Sequence, residues 1–518
     1  MSESAAEPYV TDVPYLRTFS NDLSPASLRV AAALAGFAPP AEDDFDYLEL
    51  GCGNGDTLCT LAAAYPCARF IGVDLNSEHI AFARGLAARG GLSNVRFLEG
   101  DFETLPRGDL PALDYVAMYG VLSWISAPKR AAALALASAK LKPGGVLFAS
   151  YNAMPGWAAV EPLRRLMVDA SAGTPGNSLD RAHRGLSVAR LLRDAGAEYF
   201  VKNPPAAAML DTMLRAGLSY AVHEYFLPDW HPMYFEDVAR EMAASELFFV
   251  AQLPLFLNYR DLAIPASLRK PFEGVTDRLA FESLKDYALN QFFRRDLYVK
   301  GACSRSDEAT RQFLDETPFG TTVRAEEVAR EVSLSSYTLR FVGPIFDRLI
   351  PALAERPRTV AELAASGELG AYDCAVIRDA IAHLVIGDQA LPIRGAAPAL
   401  APPPTSRLRL VSAYDRAVLA EPLSTGRPVV LASPATGRGV VLSVLEAMCL
   451  RAVTEALPNE VGGWVRAFAA KQSVAVFLDA GTVGDAEAEL EILENEVEVF
   501  RERRVPKLVQ LGIAAPDG

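Results

Sequence analysis

The segment Glu49-Leu50-Gly51-Cys52-Gly53-Asn54-Gly55 places a carboxylate and three glycines directly after an apolar, strand-like run. Because glycine has no Cβ, a glycine-rich turn between a buried strand and a helix lets the backbone approach a ligand closely. The spacing is G-x-G-x-G. The dinucleotide fingerprint G-x-G-x-x-G would need glycine at the position of Asp56. The loop therefore predicts a ligand site that differs from a dinucleotide site.

Acidic residues also follow the next two predicted strands. Asp74 ends the second strand, about twenty residues beyond the loop, where a carboxylate can accept both ribose hydroxyls of an adenosine. Gly100-Asp101-Phe102 ends the third strand, where an acidic side chain typically meets the adenine amino group and an apolar ring covers its face. An aspartate after a strand is also a common helix cap. Together at the carboxyl ends of successive parallel strands, where open α/β sheets bind ligands, these residues favour a nucleoside site.

Aromatic and polar side chains gather in the loops after the fourth and fifth predicted strands. The two loops are Tyr119-Gly120-Val121-Leu122-Ser123-Trp124 and Ser150-Tyr151-Asn152-Ala153-Met154-Pro155-Gly156-Trp157. We expect them to form a second wall of the site, made of Tyr119, Ser123, Trp124, Tyr151, Asn152 and Trp157. His223-Glu224-Tyr225, followed by Trp230, is expected to close this wall from above. For any one of these rings, packing in the core is the competing explanation.

The elements that position these residues alternate as strand and helix, at the spacing of βαβ units. The predicted strands are Tyr47–Leu50, Phe70–Val73, Val95–Leu98, Tyr115–Met118 and Val146–Ser150, and the predicted helices include Thr57–Tyr65, Ser77–Arg89 and Lys129–Lys140. The pattern indicates an α/β fold with a Rossmann-like sheet. A long helical stretch, from Glu161 to about Trp230, then precedes a helix at Tyr234–Ala244 and a strand at Leu247–Leu255. We expect this stretch to be an insertion over the strand ends, which builds a substrate pocket or lid or is only decorative.

The remainder of the chain predicts mainly helical structure. Beyond Tyr259 the helical pattern includes Phe281–Tyr298, a mixture of aromatic and basic residues. Pro357–Leu363 resembles the entry to a winged-helix unit, but the unit lacks a basic recognition face, which favours a protein–protein or scaffold role. Gly395–Ser406, with three consecutive prolines, is typical of a linker.

An acidic helix is predicted at Asp485–Arg503, near the end of the sequence. Its apolar residues Leu490, Leu493, Val497 and Phe500 fall on one face, and this stripe is too short for a coiled coil, so it should pack on its own domain. The predicted domains are 1–260 with the helical insertion at about 158–231, a helical middle region at 261–335, a winged-helix-like domain at 336–400 and a C-terminal domain at 401–518.

Composition narrows the class of protein. A chain of 518 residues holds about two to four domains. The net charge of −14 argues against non-specific nucleic-acid binding and is compatible with a basic substrate, such as a lysine-bearing polypeptide. No apolar run is long enough to span a membrane, and Met1–Pro8 lacks the order of a signal peptide. Scattered cysteines without a C-x-x-C pair and isolated histidines predict reduced thiols, a cytoplasmic location and no metal site.

With these motifs the chain resembles bacterial methyltransferases that carry a methyltransferase regulatory domain, including the lysine methyltransferases of bacterial outer-membrane proteins. The resemblance covers about the first three hundred residues and depends mainly on three strings: ELGCGNG at Glu49–Gly55, YGVLSW at Tyr119–Trp124 and SYNAMPGW at Ser150–Trp157. Tyr9–Tyr15 resembles the family's N-terminal arm, which packs near the cofactor. Further similar strings are HEYF at His223–Phe226, PMYFEDVA at Pro232–Ala239 and FRRD at Phe293–Asp296. Many relatives have histidine at the position of Tyr119.

The resemblance implies a class I methyltransferase fold that uses S-adenosyl-L-methionine. The expected cofactor-binding residues are Tyr15, Glu49, Gly51, Cys52, Gly53, Asn54, Asp74, Leu75, Gly100, Asp101, Phe102 and Tyr119. The expected catalytic pocket consists of Tyr119, Trp124, Tyr151, Asn152, Trp157, Glu224 and Tyr225. The expected partner is a surface or secreted protein that is modified on its lysines, and neither nucleic-acid binding nor membrane insertion is expected. A homodimer is left open.

The chemistry of such a site depends mainly on positioning, because the sulfonium leaving group already supplies the driving force. A lysine must lose its proton first, which costs about 5 kcal/mol at pH 7. A partly desolvated aromatic pocket lowers the lysine pKa, and Glu224 or a tyrosine hydroxyl can accept the proton or orient the amine. Two other functions stay open at this point: methylation of a small metabolite or cell-surface sugar, and a non-catalytic regulator that retains the cofactor fold.

Overall fold

The computed structural model of the protein describes residues 10, 12–13, 16–105, 110–301, 304–335, 337–395, 397–401, 406–471 and 486–517. Its strands are β1 (Asp46–Leu50), β2 (Arg69–Asp74), β3 (Val95–Glu99), β4 (Leu113–Met118), β5 (Leu141–Asn152), β6 (Leu247–Gln252), β7 (Phe293–Lys300), β8 (Phe319–Gly320), β9 (Glu331–Ser333), β10 (Thr338–Arg340), β11 (Leu391–Pro392), β12 (Leu408–Leu410), β13 (Val429–Ser433), β14 (Arg438–Leu442) and β15 (Ala514–Pro516).

The α-helices follow in the same chain order. They are α1 (Pro25–Leu34), α2 (Asp56–Ala64), α3 (Ser77–Arg89), α4 (Ala127–Lys140), α5 (Glu161–Ser171), α6 (Ser178–Asp194), α7 (Glu198–Lys202), α8 (Pro204–Ala216), α9 (Leu218–Tyr225), α10 (Phe235–Ala244), α11 (Arg260–Ala263), α12 (Arg278–Leu289), α13 (Asp307–Glu316), α14 (Pro344–Glu355), α15 (Val360–Ala364), α16 (Cys374–Ile386), α17 (Ala413–Leu419), α18 (Val444–Glu455), α19 (Val461–Ala469), α20 (Ala486–Arg503) and α21 (Val505–Gln510). In the part of the chain so described, no helix combines the length and apolar character needed to cross a bilayer.

A seven-stranded sheet organises the first three hundred residues, with the strand order β3-β2-β1-β4-β5-β7-β6. β1 to β5 run parallel, whereas β7 is antiparallel to both β5 and β6. The predicted parallel strands and the helices between them are present, so the α/β fold class is confirmed. α3 begins at Ser77, as predicted, because the Asn76 side chain accepts hydrogen bonds from the amides of Glu78 and His79.

Strand β7 corrects the expectation for the region beyond Tyr259. The sequence pattern predicts mainly helix there, but Phe293–Lys300 is an interior strand of the sheet. Arg294 and Asp296 are fully buried on one face of β7, whereas Arg295 between them is partly exposed. Charged residues are almost never fully buried unless they are paired. Because the buried positions of β7 carry charged residues, the sequence does not show the alternation of apolar and polar residues that marks a strand. The sheet therefore continues to residue 300, past the predicted domain boundary at 260.

Arg294 shares its buried positive charge among three carboxylates. Its Nη1 donates to Asp286 Oδ1 at 2.6 Å, its Nη2 to Glu282 Oε2 at 2.8 Å and its Nε to Asp296 Oδ2 at 2.9 Å. Although burial acts to raise the pKa of Glu282, Lys285 and Arg294 hold that pKa below its ordinary value. Since Glu282 and Asp286 belong to α12, the cluster fixes this helix against β7 by charges that all have partners.

Helices α5 to α9 form the predicted helical insertion between β5 and α10. Their apolar side chains, such as Met167 and Leu210, share a core with Trp124 and Trp157 from the two aromatic loops. The insertion therefore covers the carboxyl ends of the strands, where the sequence predicts a site.

Helices α14, α15 and α16 follow one another as the predicted helix, short helix and third helix. The short helix begins at a capping box, in which the side chain of Thr359 and that of Glu362 each accept a hydrogen bond from the other residue's amide. Its identity as a winged-helix unit stays a prediction, as do the domain boundaries. The predicted linker at Gly395–Ser406 lies partly outside the described residues.

The C-terminal part of the chain (406–471 and 486–517) packs on the α2 side of the sheet. Its strands β13 and β14 form an antiparallel hairpin, and the hydroxyl of Tyr414 lies 2.8 Å from Thr60 Oγ1 on α2. Leu493, Val497 and Phe500 of α20 are buried in the same core. The predicted apolar stripe of this acidic helix thus packs within its own chain.

Replacing Arg294 tests the buried cluster. Arg294→Met leaves three buried carboxylates short of a cation, so we expect the free energy of unfolding to fall by about 3–5 kcal/mol. Arg295→Met is the matched control, because Arg295 is the next residue on β7 and pairs with Asp22 at 2.5 Å where its side chain is 31% exposed. Its expected loss is at most about 1 kcal/mol. Urea unfolding followed by circular dichroism measures both values, and equal losses would contradict the assignment.

Candidate active site

A cavity of about 590 Å³ opens at the carboxyl ends of the parallel strands. It is lined by the loops after β1 to β5, by α9 of the insertion, by the start of β7 and by residues that precede α1. Its volume is in the range of sites that bind cofactors and other small ligands.

The predicted cofactor residues come together in this cavity. Those in the described part of the chain all line it: Glu49, Gly51, Cys52, Gly53, Asn54, Asp74, Leu75, Gly100, Asp101, Phe102 and Tyr119. Tyr15 lies outside the described residues. The placement agrees with the prediction, while the role of each residue toward the cofactor stays a prediction.

Most of the predicted catalytic residues line the other end of the same cavity. They are Tyr119, Trp124, Asn152, Trp157, Glu224 and Tyr225. Trp230, predicted to close the pocket, lies instead behind Trp157, with the two ring centroids 4.8 Å apart. Ser123 is buried, and its Oγ accepts a hydrogen bond from the Asn152 amide, so it joins the two aromatic loops.

Tyr151 is predicted to line the pocket, and this prediction is wrong. Successive side chains of a strand point to opposite faces of the sheet, so Tyr151 points away from the face of its neighbour Asn152. It is fully buried and donates a hydrogen bond to Asp296 Oδ2 at 2.7 Å. Burial raises the pKa of its hydroxyl well above the ordinary value, which keeps the phenol neutral. Tyr151 therefore links β5 to the Arg294 cluster.

The glycine loop leaves open space where a ligand can approach. A Cβ placed on Gly53 would meet no atom within 4 Å, whereas one on Gly55 would collide with Ala83 and Phe97. Gly55 has a φ of 72°, in the left-handed region, and directly precedes α2. The loop therefore turns sharply into the helix and presents bare backbone to the cavity.

Asp74 fastens this loop to the end of β2. Its Oδ2 accepts a hydrogen bond from the Gly53 amide at 2.8 Å, and its Oδ1 accepts one from the Asn76 amide at 2.9 Å. The sequence assigns to Asp74 only the expected ribose contact. In the structure Asp74 also holds the backbone of the glycine loop through the Gly53 amide.

Asp101 is paired within the cavity wall. Lys129 Nζ lies 2.5 Å from its Oδ2, and the Glu103 amide donates to its Oδ1 at 3.1 Å. Burial acts to raise the pKa of Asp101, but these hydrogen bonds outweigh it and lower the pKa below its ordinary value. Asp101 is therefore an ionised acceptor beside the expected adenine position.

Glu49 has a very different electrostatic state. Burial, and then the charge of Asp74, raise the pKa of Glu49 to about 8. Its Oε2 has no hydrogen-bond partner among the described residues, and neither do Asn152 Nδ2 and Trp157 Nε1 on the cavity wall. Buried polar atoms normally have partners, so these three atoms indicate a cavity that is built around a polar ligand.

Aromatic rings form the wall opposite the glycine loop. Trp157 stacks on Phe292 with a centroid distance of 4.2 Å and lies 6.1 Å from the ring of Tyr225. Trp124 Nε1 donates to the Glu224 carbonyl at 3.3 Å. We use the name acceptor end for the part of the cavity lined by Trp124, Asn152, Trp157, Tyr220, Glu224, Tyr225, Asp229 and Phe292.

Several lining residues were not among the predicted ones. They are Leu16, Thr18, Phe19, Ser20 and Leu23 before α1, Tyr220 and Asp229 of the insertion, and Phe292 and Phe293 at the start of β7. The family arm points to the N-terminal region in general, but no spacing identifies which of its residues reach the site. The FRRD string marks the start of β7, and the helical interpretation of that segment concealed its place at the cavity.

Acidic side chains dominate the charge of the cavity. Its described lining includes the acidic residues Glu49, Asp56, Asp74, Asp101, Glu224 and Asp229, and its described lysine, Lys129, is paired with Asp101. Asp56 is paired with Arg17, and Glu49 is protonated at neutral pH because burial raises its pKa to about 8, so the negative charge comes mainly from Asp74, Glu224 and Asp229. Opposite charges at short range attract strongly in a partly dehydrated site. The cavity therefore suits a cationic ligand.

The sheet order, the glycine loop and the carboxylates after β2 and β3 are those of a class I S-adenosylmethionine-dependent methyltransferase. The family described as a methyltransferase domain matches residues 48–145, and the family described as a predicted methyltransferase regulatory domain matches residues 218–300. The chain belongs to the S-adenosylmethionine-dependent methyltransferases that carry this regulatory domain.

The chain is also similar to curated proteins and to a solved structure. The uncharacterized protein sll1526 of Synechocystis is 29% identical, over 98% of this chain and 99% of its own length. The uncharacterized protein RP028 of Rickettsia prowazekii is 30% identical, over 35% of this chain and 70% of its own. PKMT2 from Rickettsia typhi, solved in complex with AdoHcy, is similar with a TM-score of 0.72, covering 97% of this chain and 100% of that chain at 17% identity. This last likeness shows the fold.

The regulatory-domain match covers α9, α10, β6, α11, α12 and β7. These elements supply two strands of the central sheet and part of the cavity wall. The region is therefore integral to the methyltransferase fold rather than a separate appendage.

Cofactor binding is expected to depend on pH through Glu49. The pKa of Glu49 is about 8, so its side chain is mostly protonated below pH 8. A cationic ligand binds better to the ionised side chain, and removing the proton at pH 7 costs about 1.4 kcal/mol. Affinity for S-adenosylmethionine should therefore rise by up to about tenfold per unit from pH 6 to pH 8 and then level off. Isothermal titration calorimetry measures it, with Glu49→Gln as the control that removes this component. Parallel pH profiles for the two proteins would refute the prediction.

Proposed function

We propose that this methyltransferase transfers the methyl group of S-adenosylmethionine to the ε-amino groups of lysines in a protein substrate. The observation that carries the proposal is the acceptor end, where aromatic rings and two acidic residues, Glu224 and Asp229, line the same cavity, and no arginine or lysine stands among its described lining residues. Such a wall favours an ammonium group that enters from outside.

The residues of the opposite end fit the cofactor. Asp74 and Asp101 line this end and would accept hydrogen bonds from the adenosine, and the open space at Gly53 would receive the amino-acid portion. Because burial raises the pKa of Glu49 to about 8, its ionised form is unfavourable in this buried position. A cationic group beside it would stabilise that ionised form. When bound, S-adenosylmethionine supplies a methyl group on a positively charged sulfur.

The acceptor end offers carboxylates rather than phenolates as proton acceptors. Burial raises the pKa of Tyr119, Tyr220 and Tyr225, so their hydroxyls stay neutral and act as hydrogen-bonding groups. Glu224 and Asp229 are only partly buried and line the same wall. These two residues are the groups that would attract the lysine ammonium and receive its proton, directly or through water.

The cost of deprotonating lysine is reduced by the surroundings. At pH 7 the cost is about 5 kcal/mol for a lysine in water. The stacked rings of Trp157 and Phe292 exclude water from part of the acceptor end, and desolvation lowers the pKa of an amine. The same rings stabilise a methylated ammonium product through their faces.

A protein acceptor also agrees with the sequence strings shared with lysine methyltransferases of outer-membrane proteins. The direct test incubates the purified enzyme with methyl-labelled S-adenosylmethionine and either lysine-rich surface proteins or small-molecule extracts. Labelled lysine, identified by mass spectrometry of digested proteins, is the expected result. Label found only in low-mass compounds would refute a protein substrate and favour a metabolite or sugar acceptor.

Glu224 should be needed for turnover. Glu224→Gln removes the charge that receives the lysine proton, and we expect the rate of protein methylation at saturating cofactor to fall by about 10²-fold. Glu198→Gln is the control, since Glu198 is a strongly exposed residue of the same insertion that pairs only with a neighbouring helical lysine in the described structure. Initial rates as a function of pH measure the effect. Full activity of both Glu224→Gln and Asp229→Asn would contradict the proposed proton acceptors.

A further inference from the structure

The segment before α1 is a wall of the cofactor cavity that is held from the far end of the chain. We name residues 16–24 the arm; they follow directly after Tyr9–Tyr15, the segment that resembles the family's N-terminal arm. Leu16, Thr18, Phe19 and Ser20 have no regular secondary structure up to the short turn at Asn21, yet they line the cavity. An irregular segment of this kind needs contacts from elsewhere to keep one position.

Arg17 supplies the first of these contacts. Its Nε donates to Asp56 Oδ1 at 2.8 Å, and its Nη1 donates to Glu421 Oε2 at 2.6 Å. Asp56 is the first residue of α2 and lines the cavity, whereas Glu421 follows α17 in the C-terminal part. The side chains of all three residues are at most 31% exposed. One guanidinium therefore connects the glycine-loop helix, the arm and the C-terminal part.

The hairpin of β13 and β14 supplies the second set of contacts. Asn21 Nδ2 donates to the Gly439 carbonyl at 3.0 Å, and the Gly439 amide donates back to Asn21 Oδ1 at 2.9 Å. Ser24 Oγ donates to the Gly437 carbonyl at 2.6 Å. A Cβ on Gly439 would overlap the ring of Phe19, so the ring and the hairpin are in close contact.

We propose that Glu421 is a positioning residue for cofactor binding, which acts through Arg17 to hold the arm as a wall of the cavity. Glu421 itself does not line the cavity. Its ion pair with Arg17 is a direct contact with the arm, and we expect its influence on the cofactor to pass through that pair. A merely structural ion pair would change stability and leave the affinity for cofactor as it was.

The decisive variant is Glu421→Gln, which keeps the size of the side chain and removes its charge. We expect the Kd and KM for S-adenosylmethionine to rise about tenfold, a coupling typical of two linked sites, while kcat at saturating cofactor stays unchanged. Calorimetry with S-adenosylmethionine gives the Kd without any methyl acceptor. Failure of this inference and failure of the proposed lysine substrate are thereby distinguishable.

Arg89→Met is the matched control. Arg89 pairs with the other oxygen of the same carboxylate, Glu421 Oε1, at 3.3 Å, and is about half exposed. Its removal keeps the link to Arg17, so the Kd for cofactor should remain that of the wild type. A rise in Kd equal to that of Glu421→Gln would show that a general loss of charge is responsible, and would overturn the proposal.

A double-mutant cycle tests the route through Arg17. In an Arg17→Met background, Glu421→Gln should cause no further rise in Kd, because the connection is already broken. An undiminished tenfold effect in that background would overturn the proposal, as would a wild-type Kd for the single Glu421→Gln variant.

Gly439→Ala provides a test without a change of charge. Gly439 has an ordinary negative-φ backbone, so alanine strains only its contacts with Phe19 and Val430. Displacement of Phe19 should raise the Kd for cofactor in the same direction as Glu421→Gln. A wild-type Kd, in a protein whose melting temperature shows that it folds, would contradict a wall held by the hairpin.

Discussion

A fully buried arginine, Arg294, constrains the part of the sheet on which the acceptor end depends. It is the second residue of β7 and binds carboxylates on α12 and on its own strand. The hydroxyl of Tyr151 joins the same cluster from β5. Burying charge is unfavourable unless every charge finds a partner, so this cluster allows one register of β7 between β5 and β6. That register sets Phe293 opposite Asn152, and both side chains line the cavity.

The parallel strands and β6 can be predicted from the sequence, whereas β7 cannot. β1 to β5 contain mainly apolar runs, and turn residues such as Gly51 after β1 and Asp74 at the end of β2 mark where such runs stop. β7 carries Arg294 and Asp296 where a sequence pattern requires apolar residues, so local composition indicates a solvated helix. The prediction for Tyr151 is wrong for a related reason. The string that contains it predicts a site, but the alternation of side chains along β5 decides that Asn152, and not Tyr151, faces the cavity.

The electrostatics of the cavity differ between its two ends. The cofactor end keeps one carboxylate ionised by Lys129 and another protonated by burial, and the acceptor end keeps its phenols neutral beside partly buried acids. Neighbouring groups whose surroundings push their pKa values apart are typical of catalytic sites. None of these states follows from residue type, because each depends on which atoms lie within a few ångströms after folding.

The contacts of the arm have a consequence for how the protein is made. Arg17 and Glu421 are separated by 404 positions, and Asn21 and Gly439 by 418. Domains generally fold as they leave the ribosome, from the amino end onward. The sheet can thus close once β7 has emerged, but the arm meets its hairpin only after most of the chain has been synthesised. A nascent chain that already holds its glycine loop would still lack one finished cavity wall, so translation itself orders the assembly of the site.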